Sequence, residues 1–358
     1  MVLGHRHQRP VAVAYEPDYP QWVVLDPEDP TAGMIGELGQ RFPGARVSVR
    51  SQTRDGRLAV VLVSSDVDPG VFLLVDTTTG ETKPLLRRRE AVDPASMRPM
   101  EAFAIESRDG LPVHGYLTLP VEEPEAPLPT IVMPHGGPHG VRDRWAFHPE
   151  VQLFASRGFA VLQVNFRGSG GYGSDFEAAD YQSWGDAVQH DILDAIQWSV
   201  SQKLTDPARI CTYGGSFGGY SAVQLATLAP ELIACAVGVA GVYDLPGLLE
   251  EGDLAEDVWA KRVLEAYLGR DEGALRSASP VHRVDRLRAP VLLVHGEEDQ
   301  RAPIAQAKAM CAALKAAGKS CETFFVAGEG HGFRVEAHRY EAMSRVLDFV
   351  QRHIGSDL

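Results

Sequence analysis

The sequence Gly-x-Ser-x-Gly at residues 214–218 constrains the fold of this chain more than any other feature. It follows a short apolar run that starts at Ala208, and it precedes residues 221–226, whose small and apolar side chains are typical of a helix. A serine between glycines at a strand-to-helix junction is typical of a nucleophile elbow, in which a strained turn lifts the hydroxyl clear of the sheet. A Cβ at Gly214 or Gly218 would then collide with neighbouring chain. The alternative is a glycine turn that only packs tightly, because this short pattern also occurs by chance.

Composition and charge exclude several classes of function. The chain has 358 residues, of which 44% are hydrophobic and 23% are charged, so it is long enough for one large domain or two smaller ones. Its net charge of −14 argues against nucleic acids and anionic membranes as partners. No apolar run approaches the ~18 residues of a membrane span, and residues 1–10 lack the apolar core of a signal peptide. The four cysteines are far apart without a Cys-x-x-Cys, which predicts neither disulfides nor a zinc site. We therefore expect a cytoplasmic protein.

The first 86 residues carry a β pattern. Short apolar runs alternate with turn sequences, with a turn-rich interval between the second and third runs, and they lie at 11–15, 21–25, 46–51, 58–63 and 71–75. This rhythm is that of one propeller blade and part of another, whereas a closed propeller needs at least about four blades. Such strands have exposed edges, cover another element or pair with another chain. A charged, proline-containing connector from Arg87 to about Met100 then gives two predicted domains, 1–100 and 101–358.

Beyond the connector, strands and helices alternate. A hairpin is predicted around residues 108–110, and an acidic, proline-rich loop follows at 120–129. The later predicted strands lie at 130–133, 160–164, 234–239, 291–294 and 322–326, and the predicted helices lie near 149–156, 187–201, 304–317 and 337–353. Continuous apolar strands that alternate with amphipathic helices indicate a mostly parallel sheet that is covered on both faces. This is a doubly wound α/β architecture.

Two polar loops at predicted strand ends supply partners for Ser216. One loop carries Asp299, with Glu297 and Glu298 as competing acids, and the next strand ends in a loop that carries His331 between two glycines. Catalytic side chains lie at the carboxyl ends of the strands in sheets of this kind. The order Ser216, Asp299, His331 is the order of the α/β-hydrolase fold. The sequence therefore predicts a nucleophile, an acid and a base at one edge of the sheet.

A third loop offers hydrogen-bond donors for a negatively charged oxygen. Residues 134–140 follow an early strand and contain Gly136 and Gly137, either of which can point its N–H at an oxygen that the N–H of Phe217 also reaches. The start of the helix after Ser216 adds a favourable dipole. The alternative for this segment is a loop that is only tightly packed. Its occurrence together with the elbow, the acid and the base, each in the expected order and on the expected element, supports an oxyanion hole.

Five segments together carry a family resemblance; they lie at residues 133–138, 165–173, 214–220, 295–301 and 330–333. They resemble the prolyl oligopeptidase family of serine peptidases, and most closely its acylaminoacyl-peptidase and dipeptidyl-peptidase-like branch. The resemblance covers about Ala102 to the C-terminus. It implies that Ser216 is the nucleophile, that His331 is the base and that Asp299 orients the base.

The same resemblance implies further site residues. It favours Gly137 over Gly136 as the oxyanion donor beside Phe217. It also places Arg301 at the substrate site, for which the alternative is a surface salt bridge. Tyr220, at the end of the elbow segment, becomes a candidate substrate-binding residue. No metal or organic cofactor is implied.

The resemblance also shows a departure. Members of the family carry a complete propeller that sieves substrates by size, whereas residues 11–86 resemble only its last blade and a half. The chain reads like a naturally or artificially shortened member with an open site. We therefore expect a serine hydrolase that cleaves small carboxylic esters, and acylated peptides as well, through an acyl-enzyme intermediate. The alternatives are a serine exopeptidase of acylaminoacyl-peptidase or dipeptidyl-peptidase type and a non-catalytic interaction protein. The N-terminal strands predict a homo-oligomer.

Overall fold

The computed structural model describes residues 2–3, 9–121 and 124–355. Most of the segment in which we sought a signal peptide, and residues 122 and 123 of the acidic loop, lie outside this described part. The chain forms two compact units, one of Met1–Ala102 with Arg144–Ser156 and one of Phe103–Asp143 with Arg157–Leu358. The predicted boundary near residue 100 lies beside the first division, while nothing in the sequence indicated the assignment of Arg144–Ser156. No described helix is both long and apolar enough to cross a lipid bilayer.

The first unit contains two antiparallel sheets. One sheet has the order β1 (Val2–Leu3), β2 (Pro10–Tyr15), β3 (Gln21–Val24), and the other is a meander of β4 (Arg46–Gln52), β5 (Leu58–Ser64), β6 (Val71–Asp76) and β7 (Thr82–Arg87). All five predicted apolar runs are strands, β2 to β6. Alternation along β5 and β6 buries Val61, Leu73 and Val75 in a small core. The predicted N-terminal β segment is therefore confirmed.

The predicted turn-rich interval between the second and third apolar runs is wrong, because Pro30–Arg41 within it forms helix α1. Asp29 caps this helix by accepting a hydrogen bond from the N–H of Thr31 at 2.9 Å, and proline occupies the first helical position. Ile35 and Leu38 bury one stripe of the helix in the core of the first unit. Glycines at positions 33, 36 and 39 disfavour a helix, and they hid its period in the sequence.

The second unit is built on an eight-stranded sheet. Its strands are β8 (Met100–Glu106), β9 (Pro112–Thr118), β10 (Leu128–Val132), β11 (Ala160–Asn165), β12 (Thr205–Gly215), β13 (Cys235–Val239), β14 (Val291–Gly296) and β15 (Cys321–Val326). The strand order is β15-β14-β13-β12-β10-β11-β9-β8. The pairs from β15 to β11 are parallel, and β9 runs antiparallel to β11. This confirms the predicted α/β-hydrolase fold with its mostly parallel, doubly wound sheet.

Helices connect the parallel strands. They are α2 (Pro149–Ala155), which belongs to the first unit, α3 (Ser174–Ala178), α4 (Ala187–Ser201), α5 (Phe217–Leu228), α6 (Leu245–Leu248), α7 (Asp253–Glu256), α8 (Val258–Leu268), α9 (Glu272–Ser277), α10 (Ile304–Ala316) and α11 (Glu336–Ile354). Every residue of β11 and of β14 is buried, as expected for parallel strands that are covered on both faces. Helix α5 is buried from Phe217 to Thr227, so the segment after the elbow lies inside the core.

The spacing of the cysteines indicated no disulfide framework, and this interpretation is wrong. Cys211 of β12 lies directly opposite Cys235 of β13 in the parallel register, and the two form a disulfide. Cys311 of α10 forms a second disulfide with Cys321 at the start of β15. Parallel neighbours need a long crossover connection, so a sequence separation of 24 residues hid a direct contact. Disulfides are rare in cytosolic proteins, and the cytoplasmic location stays a prediction that this finding opposes.

Candidate active site

Ser216 lies at the sharp turn between β12 and α5. Its φ of 56° lies in the region that non-glycine residues rarely occupy. A Cβ on Gly214 would lie 2.4 Å from backbone atoms of Gly218, and a Cβ on Gly218 would lie 2.1 Å from the carbonyl oxygen of Pro134. The N–H of Ser216 donates to the carbonyl of Val239 on the neighbouring strand β13, at 2.8 Å. The predicted collisions are confirmed, and the strained turn is held at the carboxyl edge of the sheet.

Three side chains that the sequence predicted from separate segments meet at this turn. His331 Nε2 lies 3.0 Å from Ser216 Oγ, and His331 Nδ1 lies 2.8 Å from Asp299 Oδ2. Asp299 follows β14 and His331 follows β15, and the carboxyl ends of these parallel strands lie at one edge of the sheet. The competing acids Glu297 and Glu298 are exposed. Of the three acids, Asp299 is the one that contacts His331 in the part of the chain that the structure describes.

Asp299 is buried among hydrogen-bond donors. Its Oδ1 accepts from the N–H groups of Arg301 and Ala302, at 2.9 and 3.0 Å. Its Oδ2 lies 3.3 Å from Nε2 of His295, a contact that the sequence analysis missed. Burial alone would raise the pKa of Asp299, but the hydrogen bonds from His295, from His331 and from the Ala302 N–H outweigh burial and hold this pKa well below its usual range. The carboxylate is therefore charged at neutral pH.

A second acid that the sequence analysis missed, Glu329, fixes the loop that carries His331. Its carboxylate accepts from the N–H groups of Arg334 and Val335, at 2.7 and 3.0 Å, and it lies 2.8 Å from Nδ1 of His338. These hydrogen bonds, with that from Arg334 the strongest, lower the pKa of Glu329 to about 2. Nothing in the sequence distinguished this glutamate, because its partners are mainly backbone groups.

The glycine loop that was predicted to complete an oxyanion hole lies against the elbow. A Cβ on Gly136 would lie 3.1 Å from the carbonyl oxygen of Gly215 and 3.6 Å from Cβ of Ser216. Gly137 has a φ of 124°, a conformation that side chains rarely allow. Phe217 is the first residue of α5, where the N–H has no acceptor within the helix. Gly136 thus lies against the elbow, and Gly137 and Phe217 line the same pocket as Ser216. The action of Gly137 and Phe217 on an oxyanion stays a prediction.

His135 holds the glycine loop in place. Its Nδ1 donates to the carbonyl of Gly136 at 2.8 Å, its Nε2 accepts from the hydroxyl of Ser169 at 2.8 Å, and its ring stacks on Phe166. Burial lowers the pKa of His135 to about 4. The ring is therefore neutral at physiological pH and serves as a fixed support.

An apolar pocket of about 490 Å³ opens beside Ser216. Aromatic and aliphatic side chains form most of its wall: Trp184, Phe217, Tyr220, Val242, Leu248, Leu254, Trp259, Val263, Leu264 and Tyr267. Tyr220 is buried and its hydroxyl donates to the carbonyl of Ala278 at 2.8 Å, so it contributes mainly its ring. Arg301 lines the pocket and also donates to Asp253 at 2.8 Å, so the salt bridge is present and the role of Arg301 toward a substrate stays a prediction.

In the part of the chain that the structure describes, no group of His, Cys, Asp and Glu side chains is placed to hold a metal ion. The chemistry that the site offers is instead that of a hydroxyl, an imidazole and a carboxylate in hydrogen-bond contact beside a pocket. These are the parts that nucleophilic catalysis requires.

Comparison with known proteins gives the family of this chain. The family model described as "Prolyl oligopeptidase family" matches residues 145–357. The chain belongs to the prolyl oligopeptidase family. This confirms the resemblance that the sequence segments predicted.

Three relatives illustrate where this prolyl oligopeptidase family member stands. Dipeptidyl aminopeptidase BIII of Pseudoxanthomonas mexicana is 32% identical over 337 residues, which cover 90% of this chain and 48% of that protein. A puromycin-hydrolyzing peptidase of Mycobacterium tuberculosis is 29% identical, with a TM-score of 0.77 over 84% of this chain and 46% of that one. An acylaminoacyl peptidase solved with Z-Gly-Gly-Phe-chloromethyl ketone is 25% identical, with a TM-score of 0.74 over 84% of this chain and 49% of that one. The chain therefore spans about half the length of these relatives.

Proposed function

We propose that this chain is a serine hydrolase that forms an acyl-enzyme on Ser216. The observation that carries the proposal is the hydrogen-bond chain from Ser216 Oγ through His331 to Asp299 at a strained elbow. Ser216 Oγ attacks a carbonyl carbon while His331 Nε2 takes its proton, and Asp299 fixes the imidazole tautomer and stabilises the resulting cation. The N–H groups of Phe217 and Gly137 bind the oxyanion, each worth on the order of a hundredfold or more in rate.

The remaining steps use the same groups. The protonated His331 donates its proton to the leaving alkoxide or amine as the bond to the acyl carbon breaks. His331 then takes a proton from a water molecule that attacks the acyl-enzyme, and it returns that proton to Ser216 Oγ as the acid leaves. The cycle needs no redox partner, and it accepts esters and amides alike.

The pocket supports an acyl group with a large apolar side chain. Its volume of about 490 Å³ and its aromatic and aliphatic wall favour burial of such a group, at about 0.8 kcal/mol for each buried CH₂. A short acyl chain leaves most of this wall without a partner. The related acylaminoacyl peptidase that was solved with a Z-Gly-Gly-Phe derivative supports a phenylalanine-like residue. We therefore propose esters and short acylated peptides that present a large apolar residue on the acyl side of the bond.

A serine exopeptidase of acylaminoacyl-peptidase or dipeptidyl-peptidase type is the second candidate. Arg301 favours it, because this guanidinium lines the same pocket as Ser216 and can bind a carboxylate or a peptide carbonyl. The names of the relatives point the same way. A non-catalytic interaction protein is the weakest candidate, because such a protein has no need of a hydrogen-bonded serine, histidine and aspartate.

A substrate panel tests the proposal. It compares p-nitrophenyl esters of acetate and of N-acyl-phenylalanine with acyl-amino-acid and dipeptidyl anilides. We expect the phenylalanine ester to exceed the acetate in kcat/KM by at least about tenfold. Ser216→Ala should lower turnover roughly a millionfold while the circular dichroism spectrum is kept, whereas Ser344→Ala on α11 should change nothing. If the Ser216→Ala protein kept even a tenth of the activity on every substrate, the assignment would be wrong.

The same panel separates the two candidates. Preferred turnover of the anilides would favour the exopeptidase. Arg301→Ala should slow only substrates that carry a carboxylate or a peptide carbonyl near the guanidinium. An equal loss on a neutral ester would remove Arg301 from the substrate site.

A further inference from the structure

His295 is a fully buried imidazole at the end of β14, the strand that precedes the Asp299 loop. Its Nε2 lies 2.8 Å from the carbonyl oxygen of Ala302 and 3.3 Å from Asp299 Oδ2. A carbonyl oxygen only accepts, so the proton of this ring is on Nε2. Its Nδ1 has no hydrogen-bond partner among the described residues. A second buried N–H would be unsatisfied there, which fits a neutral ring with one donor.

The two oxygens of Asp299 share His331 Nδ1, which lies 2.8 Å from Oδ2 and 3.1 Å from Oδ1, and they differ in their other partners. Oδ1 accepts from the backbone N–H groups of Arg301 and Ala302, which fix it to the loop. Oδ2 is the oxygen closer to His331 Nδ1, and its other contact is with His295 Nε2. The His295 ring and the carboxylate are further joined through one backbone unit, because Ala302 donates to Asp299 and accepts from His295.

We infer that His295 is a positioning residue for the proposed nucleophilic chain. Its single N–H is shared between the Ala302 carbonyl, the nearer acceptor, and Asp299 Oδ2, so that it keeps Oδ2 oriented toward His331 and carries part of the carboxylate charge. The inference rests on the proposed function, because it concerns the same hydrogen-bond chain. Without this donor the carboxylate can turn about its Cβ–Cγ bond, and its contact with His331 Nδ1 lengthens. The charge on Oδ2 also becomes less dispersed, since a donor to a carboxylate shares that charge.

These two effects have separate consequences. Loss of orientation lowers kcat, because the imidazole is held less well in the tautomer that accepts the Ser216 proton. A more concentrated charge on Oδ2 stabilises the protonated His331, which moves the acid limb of the rate profile to higher pH. Among the residues that the structure describes, the titratable groups in contact with Asp299 are His331 and His295, while the guanidinium of Arg301 contacts Asp253 instead. Neither effect changes the pocket, so KM stays nearly constant.

Two substitutions isolate the donor. His295→Leu keeps a similar volume and removes the N–H, and His295→Gln places an amide N–H at the position of Nε2. The full chain is assayed on the panel's phenylalanine ester between about pH 5 and 9. We expect His295→Leu to lower kcat by about tenfold to a hundredfold, the range found for residues that orient metal-binding side chains through hydrogen bonds, with KM changed by less than about twofold. The acid limb of the pH–rate profile of His295→Leu should move to higher pH by about half a unit or more. His295→Gln should restore most of the lost kcat and most of the shift in the acid limb.

Controls separate positioning from packing and from the proposal beneath it. Val294→Ala, on the same strand, should lower the melting temperature without moving the pH profile. Where His295→Leu does not fold, His295→Asn replaces it, since its side chain is too short to reach Oδ2. The inference is overturned if His295→Gln and the non-donor variant have the same kcat and the same acid limb. It is also overturned if the non-donor variant changes neither quantity relative to the wild type. If the Ser216→Ala protein is active, the proposed function is overturned. If Ser216→Ala is inactive but His295→Leu has the kcat and pH profile of the wild type, only the inference about His295 is overturned.

Discussion

Asp299, Glu297 and Glu298 carry the same chemical group within one loop, but their surroundings differ. Asp299 is buried against His331, and the two glutamates are exposed. We expect Asp299→Asn to lower kcat by about four orders of magnitude, because an amide cannot hold the imidazole in the productive tautomer. Glu297→Gln and Glu298→Gln are matched controls that should each lower kcat by less than about tenfold. A larger loss at either glutamate, measured on a p-nitrophenyl ester, would transfer the role of the acid to it.

Asp143 is an ionisable residue that the proposed mechanism does not use. Its N–H donates to Asn165 Oδ1 at 2.8 Å, while its buried Oδ2 has no partner in the described part of the chain. Burial, offset in part by a hydrogen bond from Gln163, raises the pKa of Asp143 to about 7. A buried acid whose pKa is higher in the folded than in the unfolded chain favours folding in its protonated form. Its contribution to the free energy of unfolding is complete below the pKa of the unfolded chain. That contribution is lost as the pH rises through about 7.

Thermal unfolding of Asp143→Asn at two pH values tests this linkage. At about pH 5 the variant and the wild type should melt at similar temperatures, and at about pH 8.5 the variant should melt several degrees higher. The control is Asp109→Asn, because a hydrogen bond from Arg167 lowers the pKa of Asp109. This control should lower the melting temperature similarly at both pH values. An Asp143→Asn effect that did not grow with pH would contradict the prediction.

Among the elements, α1 is the one whose own sequence opposes its structure most clearly. A Cβ on Gly33, Gly36 or Gly39 would meet no atom within 4 Å. We expect the triple substitution to alanine to raise the free energy of unfolding of the first unit by about 2–3 kcal/mol, since each glycine disfavours a helix by about 1 kcal/mol. Gly44→Ala is the control: it has the same open space but a φ of 76°, so it should destabilise. Urea denaturation measures the free energy of unfolding of both variants. A change of the same sign in the triple variant and in Gly44→Ala would refute the argument.

The elements that the sequence predicted well are those whose pattern is local. The buried strands of the second unit are continuous apolar runs, and α4, α10 and α11 have long amphipathic periods, so their bounds agree with the prediction within a few residues. The short helices α6 to α9 have no such period, yet they supply pocket residues such as Leu254, Trp259 and Tyr267. Much of the wall of the pocket beside Ser216 therefore comes from elements that the sequence did not predict.

The proposed site shows the same division. Ser216, Asp299 and His331 were predictable because each lies in a glycine-flanked or polar loop at the end of an apolar run. The supports of these residues were not, since His295 and Glu329 act through contacts that only the folded loops create. The disulfide between Cys211 and Cys235 likewise depends on the pairing of β12 with β13, which requires knowledge of the strand order.

At the scale of the whole molecule, the edge strands of the two N-terminal sheets differ in how well they are protected against pairing with a further strand. β7 is an edge strand that carries Lys83 and Pro84, residues that block pairing with a further strand. β3 is an edge strand of the other sheet without proline or charge, and its Val23 and Val24 are exposed. An unguarded apolar edge of this kind recruits a partner strand, and a symmetric pair is the usual result in soluble proteins.

We therefore propose a homodimer or a higher even oligomer that pairs through β3. Light scattering on the full chain at micromolar concentration should give at least twice the mass of 38.9 kDa. Val23→Lys places a charge on this edge and should yield a monomer with an unchanged circular dichroism spectrum. Leu86→Lys changes a somewhat more exposed position on β7, the strand that carries lysine and proline, and should leave the oligomer intact. A monomeric wild-type protein would refute the proposal. Dissociation by Leu86→Lys but not by Val23→Lys would place the interface at β7, because a lysine destabilises an association only where the partner buries it.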